Sequence, residues 1–317
     1  MSGKRKIIMD CDPGHDDALA LILALASDQL EVLAVTTSAG NQTQEKTLGN
    51  ALKLLSFLGV TKIPVASGNL KPLIRDLFIA DYVHGKTGLD GADLGVATFE
   101  PQKENAVELM KRVLDASKEK VTLVVTGPMT NAAVLLSMYP EVKEKIECIS
   151  FMGGACFGGN ITPTAEFNIY VDPEAAKIVF NSGVPLIMLG LDVTNTAQIF
   201  PNEVQKIREI GNDTGRVMAD LLDFFNKSTT PYFLAKEGHV EGLHMHDPCA
   251  VAILIDPDRF VTRNCFGDVE TGGEYGRGCT VIDYNHAYDK KPNVEVAFEI
   301  DREWFVQLLI DSIAKFR

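Results

Sequence analysis

Short apolar runs alternate with stretches of helical spacing over the first two-thirds of the chain. Lys6-Ile7-Ile8-Met9 is β-like, and Ala18-Leu19-Ala20-Leu21-Ile22-Leu23-Ala24 reads as a helix. Residues 31–37 predict a second strand, 44–57 a helix closed by Gly59, and 63–66 a short strand. Residues 70–102 look irregular, and a loop of that length in a compact domain is usually functional. Beyond it the pattern predicts a helix over 105–117, a buried strand over 121–126, a helix over 131–138 and a strand over 148–152 that Gly153-Gly154 breaks. Asp172-Pro173 caps a helix over 174–180, and a strand over 184–189 follows. This βα alternation predicts an α/β fold with a single open, doubly wound, mostly parallel sheet flanked by helices.

The last third changes character. Helices are expected over 203–210 and 213–226, then a polar loop over about 228–245, then a helix opened by Asp247-Pro248. Strands over 268–269, 279–284 and 294–300 precede a terminal helix over 301–316, and the glycines of 271–278 read as hairpin turns. No linker, repeat or low-complexity tract interrupts the chain, so residues 1–317 read as one domain.

Charge narrows the partners. A net charge of −13 argues against a nucleic-acid backbone or an anionic membrane as partner. No apolar run reaches spanning length and the basic start lacks a signal-peptide core, which makes a cytoplasmic protein the expectation. The six cysteines show no CxxC pairing and read as buried free thiols. No Walker motif, GxGxxG or HExxH occurs, so neither phosphate cradling nor zinc has support.

Chemistry gathers at three places. Asp10-Cys11-Asp12-Pro13-Gly14-His15-Asp16-Asp17 puts four carboxylates at a strand-to-helix turn, where open parallel sheets bind ligands. Capping a helix uses one or two acids; four repel one another and call for a hard, oxygen-loving divalent cation. His246-Asp247-Pro248 is the second place: Asp247 reads as an N-cap that can also reach a site above the sheet, and His246 gains interest from that neighbour. The third is the loop 159–168. Its Asn160, Glu166 and Asn168, with Asn41 after the second strand, suit Asx-turns and equally a hydroxyl-rich ligand.

DCDPGHDDA (10–18), GNQT (40–43), HGKTGL (84–89), VTGPMTN (125–131), FMGG (151–154), GNITPTAEFNIYVDPEAA (159–176) and MHDPCAVA (245–252) together resemble the calcium-dependent, inosine–uridine preferring nucleoside hydrolases from end to end. The resemblance implies hydrolysis of a ribonucleoside to ribose and free base, and Ca2+ held by Asp12, Asp17, the Thr126 carbonyl and Asp247. It implies sugar contacts from Asp16, Asn41, Asn160, Glu166 and Asn168, with Met152 and His84 also at the substrate, and an orienting role for Asp10. Asp12 is then the base for a water whose pKa the cation lowers, and His246 the acid for the departing base. A homo-oligomer, tetramer or dimer, and a role in nucleoside salvage are further implications. Tyr232, Phe233, His239 and His244 are possible base contacts. Purine-specific members stack the base on tryptophan, and the single Trp304 lies away from every motif, which favours a pyrimidine-preferring or broad enzyme. Two other readings stand beside this one: a Mg2+-dependent phosphatase of the haloacid-dehalogenase type, using Asp10-x-Asp12, and a nucleoside- or sugar-binding protein without catalysis.

Overall fold

The computed structural model describes residues 3–237 and 242–316. Strands β1 (Arg5–Cys11), β2 (Leu30–Thr37) and β3 (Val65–Ser67) alternate with helices α1 (His15–Ala26) and α2 (Gln44–Phe57). After α3 (Asp81–His84) and α4 (Ala106–Ala116) come β4 (Val121–Val125), α5 (Thr130–Met138), β5 (Ile146–Met152), α6 (Phe167–Val171), α7 (Pro173–Phe180) and β6 (Leu186–Leu189). The chain continues through α8 (Leu191–Thr194), β7 (Gln198–Ile199), α9 (Pro201–Glu209), α10 (Asp213–Glu237), β8 (Leu243–His244) and α11 (Pro248–Ile255). It ends with β9 (Phe260–Cys265), β10 (Gly267–Val269), β11 (Thr280–Ile282), β12 (Val294–Ile300) and α12 (Arg302–Ala314).

Eight strands form one open sheet in the order β3-β2-β1-β4-β5-β6-β12-β9, parallel except for β9, which runs against β12. The chain winds outward from β1 through β2 to β3, then returns to the other side of β1 to lay down β4, β5 and β6. The direction of winding therefore reverses between β1 and β4. That reversal opens a crevice at the strands' carboxyl ends, the usual ligand site of such sheets. Both faces are covered, which is why β1 is apolar on both sides: Ile7, Met9 and Cys11 pack into the core under α1 and α11, and Ile8 into the core under α4 and α5.

The expected polar loop over 228–245 is mostly helix: α10 runs unbroken from Asp213 to Glu237. Its Ser and Thr residues look like breakers, but their hydroxyls fold back on the helix. Thr229 Oγ1 donates to Phe225 O at 2.7 Å and Thr230 Oγ1 to Asn226 O at 2.6 Å. Strand β9 is an addition, since its alternation is interrupted by two successive polar residues, the charged Arg263 and the neutral Asn264, on this edge strand. The hairpin expected at 271–278 does connect antiparallel strands β10 and β11. The six cysteines are free, with Cys11, Cys148, Cys249 and Cys265 buried.

Candidate active site

β1 ends at Cys11, and the chain turns through Asp12-Pro13-Gly14 into α1, whose first turn carries Asp16 and Asp17. Asp17 serves as a helix acid in the ordinary way, its Oδ2 accepting the Gly14 N–H at 2.9 Å. The same oxygen accepts from Asn41 Nδ2 at 3.0 Å, while Oδ1 accepts from Thr126 Oγ1 at 2.8 Å. Asp247 precedes Pro248, the first residue of α11, yet its side chain makes no cap hydrogen bond. It turns instead to the acids of α1: one carboxylate oxygen each from Asp16, Asp17 and Asp247 lies within 4.8 Å of the others, and all three residues are buried.

Asp12 stands beside this triad. Its Oδ2 accepts the Asn41 amide at 2.6 Å, and its buried Oδ1 has no hydrogen-bond partner. Two glycines make room for it. A Cβ at Gly127 would stand 2.6 Å from Asp12 Oδ1, and one at Gly40 would collide with Oδ2. Asp10 belongs elsewhere: its Oδ1 accepts from Thr36 Oγ1 and Asn131 Nδ2, both at 2.8 Å. It holds the ends of β2 and α5 to β1 and does not line the cavity.

Among the described residues no lysine or arginine pairs with Asp12, Asp16, Asp17 or Asp247, and none lines the cavity above them. Burial first, and the neighbouring carboxylates second, push Asp12 and Asp247 well above the usual carboxylate range and Asp16 up to about 7. Asp17 is raised by burial as well. Buried carboxylate oxygens, one of them unpartnered and none offset by a cationic side chain, form a donor set that fits a hard divalent cation. The Thr126 carbonyl, just past β4, sits at the same crevice and accepts from Asn168 Nδ2 at 2.8 Å.

A cavity of about 170 Å3 opens over the triad. Its floor is polar: Asp16, Asn41, Thr126, Asn160, Glu166, Asn168 and Asp247 line it, with Met152. Many of these groups are already engaged. Both Asn41 Nδ2 bonds go to the turn, to Asp17 and to the Asp12 carbonyl, so that amide positions acids as well as facing the cavity. Asn168 donates to the Thr126 and Met152 carbonyls, which leaves Oδ1 as its acceptor. Glu166 caps α6, receiving N–H bonds from Gly154, Asn168 and Ile169. Burial nevertheless pushes it up to about 7. Asn160 Oδ1 accepts the Phe167 amide.

The upper end is apolar and heteroaromatic, with Val83, His84, Leu191, Phe225, Leu243, His244 and His246. His246 Nδ1 lies 2.7 Å from Thr194 Oγ1. Burial depresses its pKa to about 3, with His244 adding to the effect, so the ring is neutral at neutral pH. His84 is likewise depressed by burial. The residues expected to hold the metal and the sugar, with Met152, His84 and His246, thus lie at one cavity or at the turn beneath it. Asp16, expected at a sugar hydroxyl, is a member of the acid triad. His244 lines the cavity, Trp304 does not, and Tyr232, Phe233 and His239 lie outside what is described at side-chain level. Sequence reasoning missed Phe225 and His15. Phe225 falls at the end of the helix expected over 213–226, where an apolar side chain reads as core, and His15 is hidden among its acidic neighbours.

The chain matches the profile of the inosine-uridine preferring nucleoside hydrolases over residues 7–307. It is 54% identical over 310 residues to the pyrimidine-specific ribonucleoside hydrolase RihA of Enterobacter sp., covering 98% of each chain. It is 53% identical to the protein of that name from Photobacterium profundum, covering 98% of this chain and 99% of the other. Among solved structures, the purine-preferring ribonucleoside hydrolase of Gardnerella vaginalis superposes with a TM-score of 0.91 at 32% identity, over 98% of each chain. A turn of four buried acids beneath a cavity with a polar floor and an upper end of apolar and imidazole side chains therefore has its explanation in kinship: this chain belongs to the inosine-uridine preferring nucleoside hydrolase family.

Proposed function

We propose that this ribonucleoside hydrolase acts on pyrimidine ribonucleosides and uses calcium, held by Asp12, Asp17, Asp247 and the Thr126 carbonyl, with Asp16 at the junction of cation and ribose. The single observation that carries the reading is the buried triad Asp16, Asp17 and Asp247, uncompensated by any basic side chain among the described residues and roofed by the cavity. Calcium, when bound, supplies the positive charge that lets these acids ionise together and that lowers the pKa of a water. Asp12 Oδ1, a buried acid oxygen without a hydrogen-bond partner, takes the proton of the attacking water. As the bond from the anomeric carbon to the base nitrogen breaks, positive charge develops on the sugar. Asp16, Glu166 and Asn168 Oδ1 face that charge from the floor and favour it.

The base sits at the upper end, against Phe225, His84 and His246. In the tautomer in which Thr194 Oγ1 donates to Nδ1, a neutral His246 presents Nε2–H to the departing base as a hydrogen-bond donor. That is a lesser role than full proton donation, for which a ring depressed to about 3 is poorly suited. Pyrimidine direction is supported by the names of the relatives at 53–54% identity and by a roof without tryptophan among the described residues. Salvage in the cytoplasm by a homo-oligomer completes the reading, and light scattering on the purified protein tests its last part.

Initial rates on uridine, cytidine, inosine and adenosine test the substrate. The expected order places both pyrimidines at least tenfold above both purines in kcat/KM. A purine at the head of the series would overturn the pyrimidine assignment while leaving the reaction class intact.

A further inference from the structure

His15 is buried in the first turn of α1, next to the acid triad, and the reaction leaves it without a task. Its Nε2 lies 2.8 Å from the Asp90 carbonyl, and its Nδ1 lies 3.2 Å from His84 Nδ1. The two imidazoles are within 19° of parallel with centroids 5.5 Å apart, and with so short a nitrogen contact this is an in-plane, edge-to-edge pair. Phe225 covers both rings, at 5.1 Å and 3° to His15 and 5.4 Å and 19° to His84.

A carbonyl can only accept, so His15 Nε2 carries a hydrogen. Buried against Phe224 and Phe225, His15 is held neutral, which leaves its Nδ1 bare. Two bare nitrogens at 3.2 Å would repel, so the proton between them belongs to His84 Nδ1. The competing contact, the His15 amide to His84 Nδ1, is longer at 3.4 Å. The Asp90 carbonyl that starts this relay is itself fixed. The Asp90 carboxylate accepts the Lys86 and Thr87 amides at 2.9 and 3.1 Å, and Asn50 Nδ2 ties the Thr87 carbonyl at 2.9 Å.

We infer that His15 is a positioning residue: relaying from the Asp90 carbonyl, it locks His84 in the Nδ1–H tautomer, so that His84 Nε2 faces the cavity as a hydrogen-bond acceptor for an N–H on the substrate's base. That nitrogen has no partner among the described residues, and His84 lines the cavity. His84 in this form cannot donate a proton to the leaving base; it reads the base. The tautomer stands on these contacts together with the aromatic burial that keeps His15 neutral, whereas the recognition of a base rests on the hydrolase reading above.

Two readouts separate those parts. Nitrogen-15 spectra of histidine-labelled protein, assigned with a His84→Gln variant, should show His84 Nδ1 protonated and Nε2 bare. His15→Phe keeps the aromatic packing and removes the acceptor, so it should mix or reverse the tautomers; His15→Asn, whose Oδ1 can take the place of Nδ1, should preserve them. A protonated Nε2 in the wild-type protein, or a His84 spectrum unchanged in His15→Phe, would overturn the assignment. If His15→Phe fails to fold, the wild-type spectrum and His15→Asn decide. In kinetics, His15→Phe should raise KM for uridine about tenfold with kcat changed less than about threefold, and His15→Asn should restore it. Uridine should exceed 3-methyluridine, which lacks the N3–H, by a similar factor, and His15→Phe should erase that preference. Equal rates on the two nucleosides in the wild-type protein would overturn the base-reading role. Absence of any uridine cleavage beside the expected tautomer would sink the substrate reading and leave the positioning role standing.

Discussion

At the scale of single residues, the site is a set of carboxylates that differ in how many of their lone pairs neighbours have already taken. Asp17 carries three hydrogen bonds and Glu166 three, while Asp12 keeps one oxygen unpartnered. Roles therefore differ between chemically identical side chains. Asp12→Asn should lower kcat about 100- to 10,000-fold, the usual worth of a positioned general base. Gly127→Ala should do similar damage indirectly, because its Cβ would stand 2.6 Å from Asp12 Oδ1. Circular dichroism should show both variants folded; full activity in either would remove Asp12 from the chemistry. Asp247 shows how far sequence could go. An Asp before Pro at a helix start is an N-cap by every local rule, and only the three-dimensional turn reveals that it caps nothing and points at Asp16 and Asp17. His15 was illegible for a related reason: its partners, His84 and Asp90, are about 70 residues away, in the 70–102 segment that periodicity cannot place.

At the scale of elements, the strand-helix alternation was readable because both faces of the sheet are covered, which makes strands apolar throughout and leaves glycine and proline to mark the turns. The second half of α10 was unreadable because hydroxyl residues that favour loops satisfy themselves on the helix behind them. The phosphatase alternative also fails at this scale. Asp10, which would be its nucleophile, lies within β1 and is tied to β2 and α5, away from the cavity. Asp172 is an element-scale device of another kind. It caps α7 at Ala175 and also accepts the Leu73 amide and the Thr130 hydroxyl, joining the long 70–102 segment to the sheet's helical layer. Asp172→Ala should cost about 2–3 kcal/mol, one cap plus two stranded donors, read as a lower urea midpoint. A loss below about 0.5 kcal/mol would mean that water takes over those bonds.

At the scale of the whole molecule, the fold concentrates negative charge where two windings of the sheet part, and its stability should report that. Asp10, Asp16 and Glu166 are pushed up to about 7 by burial. Between about pH 4 and 7 the folded state then holds more protons than the unfolded chain, so their contribution is full at the acid end and is lost as pH rises through 7. His15 and His246, depressed by burial to about 4 and about 3, act in the opposite sense: their contribution is present above their unfolded value and is lost as pH falls through those values. A cation engages only the carboxylates. The rise in Tm on adding calcium to chelator-treated protein should therefore grow from pH 5 to pH 8. A rise that shrinks with pH would contradict an acid-held cation.

The central claim is that these acids hold a cation that the cleavage of a ribonucleoside requires. Its most direct test is ribose released from uridine by the chelator-treated protein and by the same protein after calcium is restored. The account predicts a loss of at least about 100-fold on chelation, regained with calcium in the wild-type protein and not in Asp247→Asn. Equal ribose release with and without the chelator, after stripping is verified by metal analysis, would contradict it.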